Sequence, residues 1–330
     1  FLLRQRSLQD KSTCREFQRD QFHICLICNR SERPKPLKGL SKKASILLPE
    51  FFDERIHSAV HKLKEMGFDI PNLNDFDNNN EYYIEYLSNR KFTNNWPQEE
   101  VVKYLDNPIN KALTILACGH VDGVVAGAST PTSEVLRSSL RIIGINKNSK
   151  WISSLFLLFS PNQDKILTFA DCAVIPEPTS EQLVSIAENA LSIHNSIIGT
   201  PPKIAFLSFS TNGSASHYRV DKVKDAVNIF SKRNPDIIHD GEIQFDAAIS
   251  PSVAIAKNPN SKLLGEANIF IFPNLDAANI GYKITRELAG YNACGPLLQG
   301  IDKPVHDLSR SCTVEDIINV AIITAIQKPS

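Results

Sequence analysis

No charge of either sign predominates: 36 Lys and Arg balance 36 Asp and Glu. A chain without a global positive field is not built to gather nucleic acid or an anionic membrane surface, so any anionic ligand must be met by a local site. Long apolar runs are also missing. The most apolar stretch, IINVAIITAI at 317–326, is about half the length a membrane-spanning helix requires. The 7 cysteines are scattered rather than set in a dense framework, which favours free thiols in a reducing compartment and points to the cytoplasm. No basic stripe accompanies Trp96 or Trp151, so both are read as packing residues rather than base-stacking platforms.

What is present is a chain of 330 residues with 42% apolar content, enough for two ordinary domains with buried cores. Residues 1–44 form a basic arm with no sustained apolar period, and the sequence starts at Phe1 rather than Met, leaving the arm open as a fragment or a processed product. Within it, His23, Cys25 and Cys28 resemble half of a zinc site whose other half is missing, with only Cys14 nearby. From Ser45 onward, short β-like runs alternate with helical ones, as in a layered α/β protein. ILLP (46–49) reads as a buried strand and DERIHSAVHKLKEMG (53–67) as a helix ending at Gly67. A single helix is expected around Glu99–Leu116. SSLFLLF and KILTFADCAV read as paired strands about the turn SPNQDK, and Thr179 with Gln182 forms a capping box. Further strands are expected at KIAFLSFS and NIFIFP, with helices near 219–232 and 280–290.

Small polar residues and glycines collect after these strands, in DGVVAGAST, SFSTNGSAS and PNLDAANIG. In open parallel sheets the ligand crevice lies beyond the carboxyl ends of the strands, so these loops are expected to converge on one site. Near the C-terminus, HDLSRSCTVED (306–316) admits two readings. Thr313 with Asp316 fits a capping box that only starts a helix. Equally, Ser309 and Arg310 precede a helix N-terminus, where free N–H groups and a guanidinium favour a bound oxyanion or phosphate.

Taken together, DGVVAGAST, SFSTNGSAS, DGEIQFDAA, ANIFIFPNLDAANIGYK, GPLLQGIDKPVHDLSRS and CTVEDI resemble the phosphate acetyltransferase family in order and spacing, from about Ser45 to the C-terminus. That resemblance implies a homodimer of two-domain, three-layer α/β/α subunits, similar to the isocitrate and isopropylmalate dehydrogenases. One domain would comprise 45–149 and 300–330, the other 150–299, with the active site in the cleft between them. It implies reversible acetyl transfer between acetyl phosphate and coenzyme A, with coenzyme A as substrate and no cofactor or metal. The family's catalytic Ser-Arg pair falls on Ser309 and Arg310, and its acidic partner on Asp316. Arg137 and Arg90 match its arginines for substrate or coenzyme A phosphates, and Ser129, Thr130, Ser210, Thr211, Gly213 and Ser214 fall in its binding loops.

A thiol near pKa 8.5 and an Asp near 3.9 are mismatched by roughly 4 to 5 units, so Asp316 is expected either to be desolvated or mainly to orient the thiol. His306 is the only nearby base for an alternative in which Ser309 is a covalent nucleophile. The chain departs from the family at Thr130 (usually His), Asn212 (Lys), Asn274 (Asp), Ala278 (Gly), His306 (Asn) and Ser311 (Gly). The segment from Leu48 to Arg90 is short by about two dozen residues, the length of one strand and helix. Two other readings stand beside the enzyme: an acyl-CoA-sensing domain like that fused to malic enzymes, whose members generally lack the DLSR loop, and a phosphate butyryltransferase with a larger acyl pocket. Cys118, Cys172, Cys294 and Cys312 are expected as buried core thiols.

Overall fold

The structure is a computed structural model that describes residues 44–147 and 149–327. The basic arm, with Cys14, His23, Cys25 and Cys28, lies outside the described residues apart from Ala44. Two sheets organise the rest. The smaller has three parallel strands, β1 (Ile46–Leu47), β2 (Gly123–Ala126) and β9 (Val305–Asp307), in the order β1-β2-β9. The larger has six: β3 (Ser153–Phe159), β4 (Ile166–Ala170), β5 (Lys203–Leu207), β6 (Ile238–Ile243), β7 (Ile269–Ile271) and β8 (Asn292–Gln299). Its order is β6-β5-β7-β4-β3-β8, with only β3 running antiparallel to its neighbours.

Period-2 alternation explains why helices cover both faces of each sheet. Ile204, Phe206, Ile269 and Ile271 face one core, while Ala205, Leu207 and Phe270 face another. In the small sheet Leu47, Val124 and Ala126 look one way and Ile46 and Val125 the other. The Val314–Ile326 helix is apolar on nearly every side because it is packed on nearly every side. It lies against the Glu54–Glu65 helix, against β1, β2 and β9 of the small sheet, and against β8 of the large one. Fully burying an Ile or Val such as Ile317, Val320 or Ile323 contributes roughly 1.5–3 kcal/mol. The last helix is therefore a strong joint between the two sheets. Its N-terminal loop is the DLSRSC segment.

Most expected elements are present, including the β3–β4 hairpin and both capping boxes, Thr179 with Gln182 and Thr313 with Asp316. The single helix expected around 99–116 is two helices, Gln98–Tyr104 and Pro108–Ala117. The break is chemical: Pro108 disfavours helical backbone at Asn107, which instead caps the second helix by accepting N–H bonds from Ile109 and Asn110. Cys172, Cys294 and Cys312 are buried as expected, whereas Cys118 is only half-buried.

His306 lies in β9, and its buried ring bonds to Leu298 and Gln327 rather than to Ser309. Nδ1 accepts the Leu298 N–H at 3.1 Å and Nε2 lies 2.5 Å from Gln327 Oε1, so the ring is the neutral Nε2–H tautomer. Committed on both nitrogens, His306 is not the base that a covalent Ser309 nucleophile would need. Burial pushes its pKa down from 6.5 to about 4. As pH falls, the unfolded chain takes up this proton first, so the stabilisation is fully present above pH 6.5 and is lost between 6.5 and about 4. His306→Asn removes that titration. The variant should gain on the order of 3 kcal/mol relative to the parent between pH 6.5 and 4 in chemical denaturation. Parallel stability curves for the two proteins would contradict the assignment.

Candidate functional site

The chain leaves β1 as Pro49-Glu50 and enters the Glu54–Glu65 helix, N-capped by Asp53. Glu50 is 1% exposed, yet its carboxylate is fully engaged. Oε2 accepts the Gly127 and Ala128 N–H groups at 2.8 Å each, and Oε1 those of Ser129 and Thr130 at 3.0 and 2.7 Å. The loop after β2 is thus wrapped around one buried charge. Gly127 is required there: its φ is +101°, and a Cβ would stand 2.1 Å from Asp307 Oδ1.

Arg55 joins that loop to the next one. Nε and a terminal N–H donate to the two Asp53 oxygens at 3.0 and 2.7 Å. The remaining N–H groups donate to three carbonyls: Ala128 at 2.8 Å, Arg310 at 2.8 Å and Cys312 at 2.9 Å. All five donors of the guanidinium are used. Arg55 holds the Asp53 carboxyl well below the usual carboxylate range, and Asp53 in turn raises Arg55. Asp53 also accepts from Ser129 Oγ at 2.8 Å. Sequence reading missed both Glu50 and Arg55, since in LPEFFDER they look like ordinary helix-start residues.

Held this way, the DLSRSC loop borders a cavity of about 380 Å³. Thr132, Ser309, Arg310 and Ser311 line it from elements around the small sheet; Phe156, Cys172, Ala173, Asn279, Tyr282, Lys283 and Pro296 line it from elements around the large one. These come from both sheets' surroundings, at the carboxyl ends of β2, β9 and β4, from the Leu275–Ala289 helix and from β8. Asp171, buried after β4, shapes the second wall by accepting N–H groups of Ser154, Ala173, Val174 and Ile175. Burial pushes its pKa up against those bonds. Asn279 Nδ2 donates to Cys172 O at 3.1 Å, and Tyr282 stacks on Phe156 with centroids 4.1 Å apart.

Ser309 Oγ lies 3.0 Å from Ser311 Oγ, while the Arg310 side chain is exposed. Asp316 is half-buried, and its Oδ2 accepts the Thr313 N–H at 2.9 Å. Below them Asp307 is fully buried: Oδ2 accepts from Thr132 Oγ1 at 2.6 Å, and Oδ1 has no hydrogen-bond partner among the described residues. Burial, with Glu50 nearby, raises Asp307 to about 7.

Asp316 is not itself among the cavity-lining residues, and the other expected residues are also placed elsewhere. Ser129 and Thr130 sit in the loop around Glu50, next to the cavity but not lining it. Arg137 is exposed on the second turn of the Thr132–Ile142 helix, whose first residue lines the cavity. Arg90 stacks its guanidinium 4.4 Å over the Tyr86 ring, with Asp302 as its charged neighbour. Ser210, Thr211, Gly213 and Ser214 form a separate cluster around buried Glu242, whose Oε1 accepts from Ser210 Oγ at 2.9 Å and Gly213 N at 2.7 Å. No residue of that loop lines the 380 Å³ cavity; of the three loops expected to converge, PNLDAANIG contributes Asn279, and DGVVAGAST reaches the cavity only through Thr132 just beyond it.

A doubly covered α/β fold with a hydroxyl- and cation-lined cavity at its strand ends has the chemistry to accept a small anion. Residues 38–325 match the family model described as Phosphate acetyl/butaryl transferase, and the chain belongs to that family. It is similar to the phosphate acetyltransferase of Clostridium acetobutylicum, 44% identical over 233 residues covering 69% of this chain and 70% of the relative. The phosphate acetyltransferase of Bacillus subtilis is 36% identical over 316 residues, covering 88% and 96%. Among solved structures, a phosphotransacetylase from Streptococcus pyogenes superposes with a TM-score of 0.78 at 36% identity, covering 87% of this chain and 94% of that one.

The loop scaffold yields a direct prediction. Glu50→Ala leaves four buried or half-buried N–H groups without their acceptor, and should lower unfolding free energy by about 3 kcal/mol or more in denaturant titration. A loss below about 1 kcal/mol would show that Glu50 does not organise the loop.

Proposed function

We propose that this chain is a phosphate acetyltransferase that moves an acetyl group reversibly between acetyl phosphate and coenzyme A. The observation that carries the reading is the placement of Ser309 and Arg310 at one wall of a single cavity, in a chain whose relatives bear that name. In the proposed reaction the coenzyme A thiolate attacks the acetyl carbonyl, the C–S bond forms, and the C–O bond to phosphate breaks with its electron pair leaving on inorganic phosphate. Neither a metal ion nor a covalent enzyme intermediate is needed. Arg310 offsets charge on the carbonyl or phosphoryl oxygens, and Ser309 Oγ donates to the same group. Asp316, tied into its helix cap, orients the thiol and receives its proton; its half-exposed setting supports the orienting part of that role.

Arg137 is five residues, about 7.5 Å along the axis, from the cavity-lining Thr132, within reach of an extended coenzyme A. The assignments of Arg90, Ser129, Thr130, Ser210, Thr211, Gly213 and Ser214 to coenzyme A or phosphate rest on their match to the family's motifs. The division into domains at 45–149 with 300–330, and 150–299, rests on the family resemblance and is supported by the grouping of strands into two sheets. Exposed apolar residues Ile280, Ile284 and Leu288 recur at i, i+4 and i+8 on one helix, a face suited to a homodimer contact. A cytoplasmic setting is supported by free Cys118, Cys172, Cys294 and Cys312; among the described residues no helix is long and apolar enough to cross a membrane.

Acetyl over butyryl is favoured by the relatives' names and by Phe156, Tyr282 and Pro296, which crowd the cavity wall. The test is acetyl-CoA formation by purified parent, Arg310→Ala and Asp316→Asn, with butyryl phosphate in parallel. The parent should turn over acetyl phosphate faster than butyryl phosphate. Arg310→Ala should lose at least about 100-fold in kcat/KM and Asp316→Asn at least about 10-fold in kcat. Coenzyme A binding without turnover in the folded parent would instead support a sensor domain, and unchanged rates in both variants would refute the site.

A further inference from the structure

The charge pattern of the cavity singles out Lys283, which closes the motif ANIFIFPNLDAANIGYK but to which the resemblance assigns no role. Among the described residues lining the cavity, no side chain is acidic, and two are cationic: Arg310 from the DLSRSC loop and Lys283 from the Leu275–Ala289 helix on the wall around the large sheet. Neither cation has an ion-pair partner among the described residues. Lys283 is exposed, with Nζ 5.8 Å from the centroid of the Tyr282 ring. Buried carboxylates do stand near the cavity, but none lines it: Asp307 accepts from the Thr132 hydroxyl, and the others are turned toward backbone N–H groups. Glu50 serves the loop after β2, and Asp171 the loop after β4. Ser309, Ser311 and the second side-chain N–H of Asn279 can donate hydrogen bonds there, while the Thr132 hydroxyl is committed to Asp307. Two unneutralised cations facing a donor-rich space without an acid form a site for a multiply charged oxyanion.

We propose that Lys283 is a substrate-binding residue that holds the phosphoryl group of the acyl phosphate, and the released inorganic phosphate, from the wall around the large sheet. This rests on the reading of the cavity as the acyl-phosphate site and deepens it. The two cations divide the labour geometrically. Lys283 is a compact charge on a flexible stem, suited to follow the phosphoryl group as it leaves, whereas the planar Arg310 guanidinium is suited to a fixed bidentate contact. Because Lys283 comes from the helix after β7 and Arg310 from the loop after β9, the anion would also tie the two walls together.

The experiment uses the full chain with Lys283→Met and Lys283→Arg, both tolerable on an exposed helical position. Calorimetric titration with inorganic phosphate should show binding by the parent, weakened about 10- to 100-fold in Lys283→Met and largely restored in Lys283→Arg. In turnover, KM for acetyl phosphate should rise by a similar factor in Lys283→Met, with KM for coenzyme A within about twofold. Unchanged phosphate affinity and unchanged KM for acetyl phosphate in Lys283→Met would overturn the assignment, as would equal losses for both substrates or a parent that binds no phosphate. A parent that binds phosphate through Lys283 but forms no acetyl-CoA would sink the proposed reaction and leave the anion site standing. Normal turnover by both parent and Lys283→Met would do the reverse.

Discussion

The Arg55 guanidinium is the contact on which the site depends. Its five N–H groups reach a helix cap at Asp53, the loop after β2 at Ala128 and the loop after β9 at Arg310 and Cys312. Three segments far apart in sequence are fixed to one rigid, permanently charged plane. The bonds to the DLSRSC loop are made mainly to its carbonyls, so the side chains of Ser309, Arg310 and Ser311 are left to line the cavity. Preorganisation of this kind places donors before the reacting group arrives, which is where electrostatic stabilisation of an acyl-transfer transition state is most effective.

Buried carboxylates extend the same logic. Glu50, Asp171 and Glu242 are each nearly inaccessible, and each is surrounded by N–H or hydroxyl donors of a post-strand loop. A lone buried charge would be costly, but one satisfied by several backbone donors gives an irregular loop a unique conformation without regular secondary structure. The result at the cavity is a separation of charge. Acids are spent inward on loop architecture, and the cations Arg310 and Lys283 remain outward for a ligand.

Much of the fold was legible because its signals are local. The alternation of Leu, Ile and Phe in SSLFLLF and KILTFA, the caps at Thr179 and Thr313, and the stop at Gly290 each act over a few residues. Less legible were β6, IHDGEI, a partly exposed edge strand with polar residues, and β8, whose Gly295 and Pro296 are poor strand formers. At the site, Ser309 and Arg310 were visible as residues beside a helix start. Glu50, Arg55 and Lys283 were not, because their meaning lies in partners 73 to 257 residues away or in a wall built from another sheet. The loop of Ser210 to Ser214 shares the composition of the cavity loops but gathers around Glu242 instead. Composition marks such loops without saying which of them meet.

The central claim is that a stitched loop pair, rather than the DLSRSC residues alone, makes this chain an acyl-phosphate enzyme. It is tested most directly by measuring acetyl-CoA formation from acetyl phosphate and coenzyme A with the parent and with Arg55→Lys, which keeps the charge but offers three donors in place of five. The account predicts turnover by the parent and a fall of at least about 10-fold in kcat for a folded Arg55→Lys protein. Equal kcat in the two proteins would contradict it.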